Sequence, residues 1–145
     1  MTAEIWEFSP AVQTWTPRVD QGATTNIAKT VTRANYWRFG SLCFFELELA
    51  MTAAGTAGSG IDVSLPLAGA SPGMFVGWGR YLDDSASDHY PIGAYVWTIL
   101  SPGNLTLVRT DVIRSGGSAF GTDPNLAIAS GDNIAMSGAY RVSVT

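Results

Sequence analysis

Cysteine, histidine and lysine each occur once in this chain of 145 residues, as Cys43, His89 and Lys29. A single cysteine excludes an intrachain disulfide. It stands within the apolar run LCFFELEL, where a buried thiol is expected, and no basic run lies beside it to activate a nucleophile. His89 has no second histidine to share a metal with and reads as a loop or strand-edge residue. Charge is scarce as well, at 14% of residues against about 25% in an average domain. The balance is acidic, with a net charge of -4 and a pI near 4.7. The seven arginines are scattered, which argues against nucleic acid as a partner and against an anionic membrane surface. No apolar run approaches the roughly 18 residues of a membrane span. The opening MTAEIWEFSPAV carries Glu4 and Glu7 and no basic start, so it does not read as a signal peptide.

Hydrophobic residues make up 46% of the chain, with 16 glycines, five Trp, five Tyr and six Phe. A profile rich in Gly and aromatics but poor in Lys and Glu fits strands joined by tight turns, because Lys and Glu usually fill exposed helix faces. No helical period is sustained. The expected fold is therefore all-β: a single-domain β-sandwich or jelly roll of about eight antiparallel strands, with turn signals every 8–12 residues or so. Residues 1–22 are expected to form an extended N-terminal arm or edge strand, because Pro10 and Pro17 interrupt ladder bonding. Residues 23–145 form the domain proper. Two strands hinge at Phe39-Gly40-Ser41. In the second, Cys43, Phe45, Leu47 and Leu49 share one face, while Leu42, Phe44, Glu46, Glu48 and Ala50 share the other, which turns polar toward its end. The glycines of MFVGWGRYL predict a bulge or a close backbone approach.

Each candidate for chemistry has a plainer reading. Glu46 and Glu48 lie two apart on one strand, about 6.8 Å along it. That is inside the roughly 6.5–9.5 Å window of an inverting glycosidase pair. Paired carboxylates on a half-exposed strand are nevertheless ordinary, and such an enzyme brings its acids from two elements that flank the substrate. Asp83, Asp84 and Asp88 supply hard oxygens in one loop, but match no calcium-loop spacing and read as an acidic solvent loop. No catalytic residue, metal ligand or cofactor is assigned. Trp78, Tyr81, Tyr90, Tyr95 and Trp97 are singled out as binding or subunit-interface aromatics. Trp6, Phe8, Trp15 and Pro17 are singled out as anchors of an assembly arm.

Four segments, TWTPRV, ANYWRFGSLCFFELEL, IDVSLPL and SGDNIAMSGAYRVSV, together resemble a module of small tail and fibre-associated virion proteins of bacteriophages, particularly those of actinobacteria. The residues that carry the resemblance are Trp15, Thr16 and Pro17; Tyr36 and Gly40; Leu65 and Pro66; and Gly131, Asp132, Gly138 and Tyr140. It spans about residues 13–145. It implies a sandwich or jelly roll, commonly trimeric, on the virion surface as a tail-fibre or tip component or a capsid decoration, and it transfers no catalytic residue. Such modules usually end a long shaft, whereas this chain reads as free-standing with a short arm, which points to clipping onto capsid or tail subunits. The expected function is structural: a homotrimer on the virion, made in the host cytoplasm, that serves assembly, stabilisation or host attachment. The alternatives are a carbohydrate-binding module that holds a host cell-surface glycan and, behind it, a polysaccharide depolymerase resting on Glu46 and Glu48.

Overall fold

The structure, a computed structural model, describes residues 11–68, 74–96, 104–109 and 119–142. These contain nine strands and no helix: β1 (Gln13–Thr14), β2 (Val19–Gln21), β3 (Lys29–Phe39), β4 (Leu42–Met51), β5 (Ile61–Ser64), β6 (Met74–Asp83), β7 (Asp88–Val96), β8 (Asn104–Arg109) and β9 (Asn133–Arg141). The all-β expectation is met. Every pairing is antiparallel, and the strands form one continuous sheet in the order β1-β3-β4-β9-β6-β7-β8-β5-β2. Among the described residues these pairings run unbroken from edge to edge.

Only one face of this sheet is apolar along most of its strands. Cys43, Phe45, Leu47, Leu49 and Met51 of β4, Ile134 and Met136 of β9, Tyr81 of β6, Ile92, Ala94 and Val96 of β7, and Ile61 and Val63 of β5 all enter one buried cluster. A flat sheet would leave that face wet, so the sheet curls until its inner faces meet.

Residues 13–21 then bridge the two edges. β1 pairs with β3 at one end of the strand order, and β2 pairs with β5 at the other. Between them the Trp15 N–H donates to Ala34 O (3.2 Å), the Trp15 indole Nε1–H to Ser64 O (3.3 Å) and the Arg18 N–H to Ser64 Oγ (2.8 Å). Pro17, which has no N–H to give, is buried where the chain leaves one edge for the other. Residues 13–21 are therefore part of the folded body. Residues 1–10 lie outside the described residues.

The glycine-rich reading of β6 is met twice over. The β6–β7 register shifts between Phe75 and Gly77, and β6 and β9 approach too closely for side chains. A Cβ on Gly79 would lie 2.0 Å from Ala135 O, and one on Gly138 would lie 1.8 Å from Val76 O. The Phe39-Gly40-Ser41 hinge is a tight turn with Gly40 at φ +57°, in the left-handed region where glycine is unstrained.

Candidate functional site

The register of the four strands β3-β4-β9-β6 sets the chemistry of their outer face. One row across it reads Asn35, Glu46, Ser137, Trp78, and the next reads Arg33, Glu48, Ala135, Arg80. The middle strand, β9, carries only Ser137 and Ala135 in these rows, so it forms a floor. The long side chains of β4 and β3 stand on one side and those of β6 on the other. The result is an open groove of about 370 Å³ whose lining includes Arg33, Glu46, Glu48, Trp78, Arg80 and Ser137.

Trp78 is the most exposed large apolar residue of the described chain, at 57%. Its neighbours across the sheet are Gly93 on β7 and Ser137 on β9. On the opposite wall, Arg33 lies 3.6 Å from Glu46 and 3.1 Å from Glu48, and Asn35 Nδ2–H donates to Glu46 Oε1 at 2.9 Å. The two carboxylates thus share one cation and one strand. They face the groove together and do not flank it from two elements. Arg80 approaches the His89 ring at 3.4 Å, which places the histidine on the β6–β7 hairpin beside the groove.

The aromatics singled out from the sequence do not form one platform. Residues 78 and 81 are three apart on a strand, so they point to opposite faces. Tyr81 is fully buried, packs on Phe120 at 4.9 Å and donates its hydroxyl to Asp132. Burial, reinforced by the Asp132 carboxylate, pushes the Tyr81 phenol well above its usual range. Tyr90 is half-buried against Phe120 at 5.3 Å, and Tyr95 is half-buried. Only Trp78 lines the groove; Trp97, Trp6 and Phe8 lie outside the described residues. Trp15 packs edge-on against Tyr36 (6.1 Å) and Phe45 (6.4 Å) as part of the sheet closure.

The remaining candidates serve the fold. Asp83 accepts from Ser85 Oγ–H (2.7 Å) and the Ala86 N–H (3.2 Å), turning the acidic loop. Among the described residues no three His, Cys, Asp or Glu side chains gather where they would hold a metal ion. Nor is any helix there long and apolar enough to cross a membrane. Cys43 is buried, and that burial pushes its thiol up, away from the reactive thiolate.

Three residues of the closing segment, Asp132, Gly138 and Tyr140, are likewise architectural. Buried Asp132 accepts from the Tyr81 hydroxyl, the Ala129 N–H (2.8 Å) and the Asp84 N–H (3.1 Å). Gly138 makes the close approach to β6, and the Tyr140 hydroxyl both accepts from the Leu67 N–H (3.0 Å) and donates to its carbonyl (2.8 Å).

A second buried polar node had no sequence signal. Gln21 is fully buried, donates to Ser59 O (3.1 Å) and Leu126 O (2.8 Å), and accepts from the Ile128 N–H (2.9 Å). It sits where Gly55 and Gly121 leave room for it. Comparison with family models, with curated proteins and with solved structures finds no match to this chain.

Proposed function

We propose that this chain is a structural protein of a bacteriophage particle, held on the virion surface as a homotrimer and acting through contacts with its neighbours rather than through catalysis. The observation that carries this reading is an apolar ridge on the outer face of the β3–β4 hairpin. There Phe39, Leu42 and Phe44 are 38%, 36% and 39% exposed, and the two phenyl rings meet edge-to-face at 5.8 Å. Contiguous apolar surface of this kind marks sites of protein association. In a chain with so little charge, covering the ridge costs little desolvation of ionic groups. The resemblance to tail and fibre-associated modules supplies the setting.

Mass measurement in solution tests the reading. At micromolar concentration the expected species has three times the 15.3 kDa chain mass. The double substitution Leu42→Ser and Phe44→Ser should return it to a monomer with its β-sheet circular dichroism intact. A wild-type chain that stays monomeric at these concentrations overturns the trimer. A test of attachment to particles by shortening the N-terminus must stop before Gln13, because residues 13–21 close the sheet.

A further inference from the structure

We infer that the groove along β9 is a binding site for a neutral saccharide, with Trp78 as the stacking surface and Glu46, Glu48, Arg33, Arg80 and Ser137 as the groups that read its hydroxyls. Four observations converge on this class of ligand. The first is width: β4 and β6 flank β9 directly, so their backbones lie roughly 9–10 Å apart, enough for one sugar chain along the floor.

The second is charge. Two arginines face two glutamates, so the groove is locally neutral and offers nothing to a polyanion. The third is preorganisation. Arg33 and Asn35 hold both carboxylates in place, yet each carboxylate has more acceptor sites than these partners occupy. Rigid acceptors beside guanidinium donors match the alternating demands of sugar hydroxyls at little entropic cost. The fourth is the indole itself, an exposed apolar face with a negative quadrupole, suited to the C–H face of a pyranose.

The sheet disfavours a peptide in the same place. β9 is paired on both sides, with β4 and with β6, so no strand can be added there, and charged walls do not suit an amphipathic helix.

This inference stands apart from the assembly reading: a monomeric chain that still binds sugar sinks that reading and leaves this one. The test is an array of neutral hexose and N-acetylhexosamine oligosaccharides, with sialylated and sulfated glycans and proline-rich peptides in parallel. Tryptophan-fluorescence titration follows for each hit. The wild type is expected to bind at least one neutral oligosaccharide. Trp78→Ala should weaken that binding at least tenfold with an unchanged melting curve, because the indole stands outside the core. Arg80→Ala is the second groove variant, expected to weaken binding severalfold should Trp78→Ala fail to fold. Leu42→Ser with Phe44→Ser, which lies off the groove, should bind as the wild type does. The inference is overturned if no neutral glycan binds, if only anionic glycans or peptides bind, or if Arg80→Ala and a folded Trp78→Ala both bind like the wild type.

Discussion

The two faces of β4 are drawn from the same ten residues, yet they do opposite work. The inner face, Cys43 to Met51 by alternate positions, is uniformly apolar and fully enclosed. The outer face grades along the strand from Leu42 and Phe44, which leave a ridge open, to Glu46 and Glu48, which line a groove. Polar groups divide in the same way. Inside, Asp132 and Gln21 are saturated by backbone and hydroxyl partners and are out of reach of any ligand. Outside, Glu46 and Glu48 share Arg33, Glu46 also accepts from Asn35, and both keep acceptor capacity toward solvent. Stability resides in the first set and the proposed recognition in the second, so substitutions in the two should separate cleanly in their effects.

The sharpest way to break that division is Gly138→Ala. The new methyl would fall on the Val76 carbonyl and the Gly77 backbone, neither of which can rotate away. β6 and β9 would have to part in the middle of the sheet, at a cost above about 4 kcal/mol. Little soluble, cooperatively melting protein is expected on expression.

Asp132→Ala comes next. It strands a buried hydroxyl and two N–H donors, so chemical denaturation should show a loss of about 3 kcal/mol. A loss under about 0.5 kcal/mol, the range of ordinary surface changes, would show that the node carries no structural weight.

The smallest effect concerns Asp62, an outward residue of β5 whose carboxyl is raised above the usual range by burial and by the nearby Asp20 charge, against the opposing hydrogen bond from Thr106. A carboxyl raised in the folded state favours folding below its unfolded pKa, near 4, and that advantage is lost as pH rises through the folded value. Asp62→Asn should therefore gain melting temperature relative to the wild type as pH rises from 4 to 7. A difference that stays flat with pH would reject the assignment.

Much of the architecture is readable along the chain. The two-residue period of β4, the Gly40 turn and the crowded glycines of β6 are local signals, and each has a local cause. The position of Trp78 is also readable in principle. Counting from the buried Tyr81 places it on the other face, so grouping both as one aromatic patch ignores their parity. What the chain order hides is non-local. Nothing near Asn133–Arg141 says that this strand enters between β4 and β6, and without that pairing the groove has no floor. The partners of Gln21 lie 38 to 107 residues away, so a buried glutamine looks like any turn residue of QGATTN. The doubling back of residues 13–21 onto both sheet edges is hidden for the same reason.

The central place of β9 has a temporal side. Its partners β4 and β6 emerge from the ribosome long before it does, and until it arrives each presents a long unsatisfied edge to whatever strand is nearby. Completing the sheet must wait for contacts of high sequence separation, which places this chain among slow folders. The nascent protein thus passes through an interval in which its own neighbours on the polysome are the wrong partners, and the arrival of β9 ends it.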